Sequence, residues 1–175
     1  MTDKPGQQLL LNFPSNPEHD FSNFVVSDGS RIAFETAKEF CSGSQIAFQA
    51  LYIFGQKNLG KTHLLLSIGN LAAKNGSRAV CIQGSDFANK MNDVESLEAR
   101  NTLDQLLDVD FFLMDNVEGI AHSSTAQEKL YHIYNQVTDK GGKMAFTASL
   151  PPDKNSAMES YLTSRFQWGM VAEIK

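Results

Sequence analysis

From Phe21 to the C-terminus, solid blocks of apolar residues alternate with longer stretches in which apolar residues recur at helical spacing. Solid blocks are typical of buried strands, and the spaced pattern is typical of helices with one buried face. The blocks predict strands at Ala50–Phe54, Ala79–Ile82, Val109–Met114, Lys143–Thr147 and Met170–Ile174. The spaced stretches predict helices at Ser30–Phe40, Lys61–Lys74, Ser85–Leu107, Thr125–Thr138 and Ala157–Phe166, with Thr125 and Glu128 as a capping box for the fourth.

This alternation predicts an α/β fold with a parallel sheet and helices on both of its faces. In open sheets of this kind, ligands bind beyond the carboxyl ends of the strands. We therefore expect the chemistry of this protein to follow directly after Phe54, Ile82, Met114 and Phe146.

A glycine-rich loop follows the first predicted strand. Residues 55–62 read Gly-Gln-Lys-Asn-Leu-Gly-Lys-Thr and fit the phosphate-loop pattern GxxxxGK[ST] between a strand and a helix. In that pattern, backbone N–H groups at a helix N-terminus surround an anion. Lys61 is expected to reach the β- and γ-phosphates of a nucleotide, and Thr62 to bind Mg²⁺.

A carboxylate ends a neighbouring predicted strand. Asp115 follows the apolar residues Phe111–Met114, and by itself such a residue is as readily a turn or helix cap. Beside a phosphate loop, we expect Asp115 to hold Mg²⁺, directly or through water. Asn116 comes next, and its amide cannot accept a proton from an attacking water, so we expect intrinsic nucleotide hydrolysis to be slow or absent.

Composition further narrows the class of protein to which this chain can belong. The chain has 175 residues and a net charge of −5, which fits one domain and argues against coating nucleic acid through bulk charge. Its two cysteines, Cys41 and Cys81, form no CxxC pair and fit a reducing, cytoplasmic compartment. No secretion signal or membrane-length apolar run is seen, so we expect no membrane association.

Residues 1–20 differ from the rest, because prolines and polar residues surround one apolar patch, Leu9–Phe13. This composition predicts a flexible N-terminal arm before a domain at residues 21–175. The alternative is that the patch packs onto the core of the chain itself.

The motifs together resemble the AAA+ nucleotide-binding core of the DnaA/Hda family, bacterial replication initiators and their regulators. The resemblance spans about residues 21–175 and rests on the entry segment Phe21–Val26, the two Walker segments Leu59–Leu65 and Phe112–Asn116, the segment Thr147–Pro152, and Leu162–Gly169 with its Ser-Arg-Phe box. It implies a P-loop sheet of five strands in the order 5-1-4-3-2. Since the chain ends at Lys175 after the fifth strand, it also implies that the usual helical lid is absent and that nucleotide affinity is weak.

The resemblance assigns roles to individual residues. The residues implied to bind ATP or ADP are Phe24, Val25, Gly55, Asn58, Gly60, Lys61, Thr62 and His63, with Mg²⁺ on Thr62 and Asp115. Ser149 stands where the family has a polar sensor. Arg165 is implied to reach nucleotide on a neighbouring subunit, which makes a homo-oligomer possible; spacing alone fits equally a surface ion pair or a guanidinium stacked on Trp168.

The arm carries a second resemblance. Gln8, Leu9, Leu11 and Phe13 resemble the peptide through which Hda and other replication proteins dock on the DNA sliding clamp. An extended segment can place Leu11 and Phe13 in an apolar pocket while the Gln8 amide bonds at its rim. The region Asn89–Arg100, by contrast, has three acids against two bases, so we expect no direct DNA binding.

These features predict an Hda-like regulator of replication initiation. It would bind adenine nucleotide, dock on the sliding clamp and promote hydrolysis of the ATP bound to the DnaA initiator. Two alternatives remain open at this point: an AAA+ assembly ATPase resembling a helicase loader, and the excised core of an initiator.

Overall fold

The computed structural model describes residues 10–42, 48–93 and 95–175. Its strands are β1 (Leu11–Asn12), β2 (Ala50–Gly55), β3 (Ala79–Gln83), β4 (Phe111–Asp115), β5 (Lys143–Ala148) and β6 (Met170–Ile174). Its α-helices are α1 (Arg31–Cys41), α2 (Lys61–Lys74), α3 (Gly84–Met91), α4 (Leu97–Leu107), α5 (Ser124–Asp139) and α6 (Ser160–Trp168). Within the described ranges, no helix combines the length and apolar character that crossing a membrane requires.

The sheet has the order β1-β3-β4-β5-β2-β6, with β3, β4, β5, β2 and β6 parallel. The predicted order of the five parallel strands is therefore confirmed. A sixth strand, which the sequence pattern does not predict, is β1: it pairs antiparallel with the outer edge of β3. The carboxyl ends of β2, β3, β4 and β5 share one rim of the sheet, and the loop after β2 leads there into α2.

Two apolar cores lie on opposite faces of the sheet. Alternation along each strand sends Tyr52, Phe112 and Phe146 to a core covered by α3–α6, and Leu51 and Leu113 to a core covered by α1 and α2. Helices on both faces are thus confirmed. The strands read as solid apolar blocks because both faces are covered.

Helix α6 begins at Ser160 instead of the predicted Ala157, and two further features of the helices differ from the predictions. The helical region expected at Ser85–Leu107 consists of two helices, α3 and α4. Ser96 caps the second by accepting a hydrogen bond from the backbone N–H of Ala99. The predicted capping box at Thr125 is wrong, because Ser123 caps α5 through the backbone N–H of Ala126. In both cases a serine hydroxyl satisfies a free N–H of the first helical turn.

The arm also differs from the expectation of a flexible segment where the structure describes it. Residues 1–9 lie outside the described residues. Leu10 is buried in the core, β1 extends the sheet, and Phe13 is half-buried against α2. Residues 10–13 therefore pack onto their own chain, as the alternative prediction states. They do so because the edge of β3 and the surface of α2 are both available to them.

The helix that carries Arg165 is anchored by one aromatic residue. The ring of Phe166 is 1% exposed and lies 5.2 Å from the ring of Tyr52 and 4.7 Å from that of Phe146. Its neighbour Trp168, on the same helix, is 72% exposed. The two aromatic residues thus differ in burial within one turn of helix.

We expect Phe166→Ala to lower the free energy of unfolding by about 3–5 kcal/mol, because it opens a cavity in the core. Trp168→Ala is the matched control and should change it by less than about 1 kcal/mol, since its ring is largely in solvent. Urea unfolding followed by far-UV circular dichroism measures both. Equal losses in the two variants would contradict the assignment of Phe166 as the anchor of α6.

Candidate functional site

The loop between β2 and α2 has the backbone of an anion-binding loop. Gly55, which ends β2, has a positive φ angle of 154°, and Asn58 and Gly60 in the loop have φ angles of 62° and 95°. A side chain at Gly60 would collide with the ring of Phe24, since a Cβ there would lie 2.7 Å from it. Asn58 takes a position that is often glycine, and asparagine tolerates this left-handed conformation better than most residues.

Lys61 begins α2 and is 8% exposed. Its ammonium group donates hydrogen bonds to the carbonyls of Gly55 at 2.7 Å and Gln56 at 2.6 Å. Burial lowers the pKa of Lys61, while the nearby carboxylates of Glu118 and Asp115 act in the opposite direction. A buried ammonium group held by two carbonyls at a helix N-terminus is suited to bind an anion.

An open cavity of about 560 Å³ faces this loop. It is lined by Lys57, Asn58, Gly60, Lys61, Thr62, Asn116 and Ser149. Its volume lies in the range of small-molecule sites, and its lining is polar and basic, as a polyphosphate requires. Gln56, whose bulk departs from the usual loop pattern, borders a second cavity of about 400 Å³ instead, together with Leu59, Leu150 and Pro151.

Asp115 lies at the centre of a buried hydrogen-bond network. Its carboxylate is 3% exposed and accepts bonds from the Thr62 hydroxyl at 2.9 and 3.1 Å and from the Gln83 amide at 3.0 Å. The Thr147 hydroxyl donates a further short bond to it. These partners come from α2, β3 and β5, because the parallel strands end at a common rim. The network fixes the carboxylate beside the phosphate loop.

Asn116 leaves β4 in a left-handed conformation, with φ at 52°. Its backbone N–H donates to the Thr147 hydroxyl at 2.8 Å, and its side-chain amide donates to the side-chain Oε1 of Gln83 at 3.1 Å. Asn116 therefore borders the cavity as a hydrogen-bonded amide. No carboxylate occupies this position to activate water.

Ser149 and Glu118 form a second contact at the rim. Ser149 is exposed and lines the cavity. Its backbone N–H donates a short hydrogen bond to the carboxylate of Glu118, which lies in the 3-10 turn at Val117–Ile120. This bond joins the end of β5 to the turn that follows β4.

The entry segment lies over the phosphate loop. The ring of Phe24 stacks on Phe34 at 5.5 Å and meets the edge of His63 at 5.3 Å. His63 in turn contacts the backbone carbonyl of Asp20 through Nε2 at 2.9 Å, and Val25 is 87% exposed. Phe24 and His63 thus form an aromatic wall beside Gly60, while the side chain of Val25 projects into solvent.

The donor set fits a nucleotide with Mg²⁺. Mg²⁺ takes oxygen ligands and is usually held by one or two protein oxygens together with phosphates and water. Thr62 and Asp115 offer a hydroxyl and a carboxylate within 2.9 Å of each other. Within residues 10–42, 48–93 and 95–175, no group of three or more His, Cys, Asp or Glu side chains has metal-binding geometry.

Arg165 lies away from this cavity, on α6. Its guanidinium carbon is 4.2 Å from the centroid of the Trp168 ring, 5.4 Å from that of Tyr131 and 5.9 Å from that of Tyr134. It also donates a hydrogen bond to the Tyr131 hydroxyl at 3.4 Å. Stacking on Trp168, one of the alternatives from spacing, is therefore confirmed. No ion pair to Arg165 occurs within the part of the chain that the structure describes.

The structure thus brings together most of the predicted site and separates the rest. The phosphate loop, Asp115 and Ser149 meet at one rim, Arg165 lies elsewhere, and Gln8 and Leu9 lie outside the described residues. Two contributors, Gln83 and Thr147, are not predicted from sequence, and Glu118, which the sequence leaves in solvent, instead accepts a hydrogen bond from the backbone N–H of Ser149. Gln83 and Thr147 stand at or one residue before the ends of parallel strands, which is the signal that points to them.

The chain matches known proteins over most of its length. The family model of the bacterial DnaA ATPase domain matches residues 15–173. The chromosomal replication initiator protein DnaA of Campylobacter fetus is 31% identical over 160 residues, which cover 91% of this chain and 37% of that protein. The chain therefore spans little more than a third of the curated relative that it matches.

Solved structures agree with this match. An AMPPCP-bound DnaA from Aquifex aeolicus aligns with a TM-score of 0.85 at 29% identity, over 91% of this chain and 51% of that one. A replication initiator DnaA bound to AMPPCP and single-stranded DNA aligns with a TM-score of 0.86 at 29% identity, over 91% and 50%. Together with the phosphate loop, the Asp115 network and the sheet order, these matches show that the chain belongs to the DnaA family of AAA+ ATPase domains.

Proposed function

We propose that this protein binds ATP or ADP with Mg²⁺, docks on the DNA sliding clamp through Gln8–Phe13, and presents Arg165 to ATP bound on a DnaA initiator. The expected result is hydrolysis of the initiator's ATP, and so negative regulation of replication initiation. Direct DNA binding is not part of this proposal, because Asn89–Arg100 is more acidic than basic.

The observation that carries the proposal is the environment of Arg165. Aromatic rings hold its guanidinium group in place, and within the described residues no carboxylate neutralises it. A positioned and unneutralised arginine is suited to stabilise charge on a transferring phosphoryl group. Since Arg165 does not line the cavity of its own phosphate loop, the phosphates that it meets would belong to another subunit.

Its own nucleotide is proposed to have a structural role. AMPPCP is bound in structures similar to this one, and the loop, Lys61, Thr62 and Asp115 here offer the matching donors. The Phe24 wall beside Gly60 is proposed to hold the base. Because Asn116 supplies an amide where a base is needed, we propose that turnover at this site is slow.

The alternatives differ in where hydrolysis occurs. An assembly ATPase resembling a helicase loader would use Lys61, Asp115 and Arg165 within a homo-oligomer and would hydrolyse ATP by itself. An initiator core would both donate its arginine and hold the ATP that a neighbouring arginine meets, since the Ser-Arg-Phe box belongs to the whole family. Measuring turnover of the pure protein, and then with initiator added, separates these cases.

We expect Lys61→Ala to weaken ADP binding by about 10- to 100-fold, because it removes a charged hydrogen-bond donor to the phosphates. Lys57→Ala is the matched control: this lysine lines the same cavity but is exposed, and its loss should change affinity less than about fivefold. Titration calorimetry measures both variants. Equal effects would contradict the role assigned to Lys61.

We expect Arg165→Ala to reduce the stimulated hydrolysis of initiator-bound ATP by about 10³-fold, down to the initiator's own rate. Arg165→Lys should not restore it, since an ammonium group lacks the planar fork of the guanidinium. The affinity of this chain for ADP should stay unchanged. Single-turnover release of phosphate from preloaded initiator measures the rate, and Arg100→Ala, at an exposed arginine on α4, serves as the control.

We expect Gln8→Ala to abolish retention on an immobilised sliding clamp, because the amide is proposed to bond at the rim of the clamp pocket. Gln7→Ala changes the same residue type one position earlier, outside the recognition pattern, and should bind like the unaltered chain. A pull-down with purified clamp makes the comparison. If the unaltered chain itself fails to bind, clamp docking is refuted.

A further inference from the structure

The segment Leu10–Phe13 already occupies a receptor on its own chain. Leu11 pairs with Cys81 and Asn12 with Val80 in an antiparallel arrangement, so that the segment adds a strand to the edge of β3. Addition of a strand to a free sheet edge is a general way of binding an extended peptide. The edge of β3 therefore acts as a peptide-binding site that is filled in cis.

Side chains of the segment fit both faces of this site. Leu10 is 7% exposed and belongs to the core that contains Val80 and Ile82. Phe13 packs on the opposite core, where its ring lies over Gly69 of α2: a Cβ at Gly69 would be 2.3 Å from that ring. The missing side chain at position 69 thus makes the slot that Phe13 fills.

Residues after Phe13 are bound along the same helix. The backbone N–H of Ser15 donates to the Asn70 side chain at 2.6 Å, and the Asn70 amide donates to the carbonyl of His19 at 2.7 Å. Lys74 pairs with the Asp20 carboxylate at 2.6 Å. That pair lowers the pKa of Asp20 to about 2. The segment is therefore continuous with a stretch held on α2 by several polar contacts.

We propose that the edge of β3 and the slot over Gly69 form a cis receptor that competes with the sliding clamp for Leu10–Phe13. This inference rests on the proposed clamp docking. Phe13 cannot fill the slot and enter a pocket on a partner at the same time. Leu11, which pairs with Cys81 in β1, is proposed to enter the same pocket, so clamp binding must displace β1 as well. The apparent clamp affinity then falls in proportion to the fraction of molecules whose segment is free.

The receptor adjoins the candidate metal site. A cavity of about 240 Å³ is lined by Leu10 and Leu11 and also by Thr62 and Asp115. Release of the segment removes one wall of this cavity. The two sites thus share a boundary. Any effect of metal or nucleotide binding on release of the segment is therefore matched by an equal effect of release on that binding.

A disulfide across the β1–β3 pair tests the competition. Asn12 and Val80 lie directly opposite, and Cα atoms in such pairs are about 4.5–5.5 Å apart, which a disulfide spans. Asn12→Cys with Val80→Cys, in a Cys81→Ala background, leaves Gln8, Leu9, Leu11 and Phe13 unchanged. We expect the oxidised protein to bind the clamp at least about tenfold more weakly than the same protein reduced.

The reduced form is the matched control, since it has the same sequence and differs only in the crosslink. Equal clamp affinity of the two forms would overturn the competition. Intact-mass analysis and circular dichroism of the oxidised form confirm that the crosslink has formed in a folded protein.

A second variant releases the segment without altering it. Gly69→Ala places a methyl group where the Phe13 ring lies. We expect faster amide hydrogen exchange in residues 10–13 and at the edge of β3, and clamp affinity about three- to tenfold tighter. In a Phe13→Ala background, Gly69→Ala should leave the exchange rates unchanged, because the methyl group then meets no ring.

These measurements separate the inference from the function on which it rests. Unchanged exchange in Gly69→Ala would overturn the cis receptor. Faster exchange together with no clamp binding by any form, reduced or unaltered, would refute clamp docking and the competition while leaving the cis receptor standing. Faster exchange with unchanged clamp affinity would show that the segment's two binding sites act independently, and it would refute the proposed competition.

Discussion

The buried carboxylate of Asp115 is the constraint around which this site is arranged. A carboxylate removed from water is strongly destabilising unless donors surround it. Here the donors come from Thr62, Gln83 and Thr147, which belong to the helix after the phosphate loop and to the strands on either side of β4. Their convergence ties α2, β3, β4 and β5 together at one rim. The same bonds hold a hydroxyl and a carboxylate next to the anion-binding loop, so stability and ligand geometry depend on the same group.

The charge of Arg165 is held differently from that of Asp115. Its charge is held on ring faces without a carboxylate, so it is placed but not neutralised within the described residues. Phe166 points into the core from the same helix and fixes α6 on the sheet, so the position of Arg165 follows from core packing. One rim of the molecule is thus built to receive an anion, and a separate helix offers a cation. This division is what a protein needs if it is to act on nucleotide held by a neighbour.

The N-terminal segment joins the edge of the sheet to α2. Its contacts run along α2, the helix whose first turn carries Lys61 and Thr62, from Gly69 to Lys74. Bound in cis, Leu10–Phe13 covers a sheet edge that would otherwise expose unpaired backbone groups, which natural sheets usually protect. Under the proposal of clamp docking, protection of that edge and recognition of the clamp use the same few residues.

The sequence alone determined the parts of this protein that depend on short stretches of chain. Solid apolar blocks and helical spacing predicted five parallel strands and their helices, and the strand–loop–helix pattern at Gly55–Thr62 predicted the anion-binding loop, because these features repeat locally. Only the tertiary structure decided which side chains reach Asp115, that Phe13 lies over Gly69, and that Arg165 stacks on Trp168 and two tyrosines from α5. Most of these contacts join residues that are distant in sequence, and they depend on strand order, register and the missing side chain of one glycine. No local pattern records those properties.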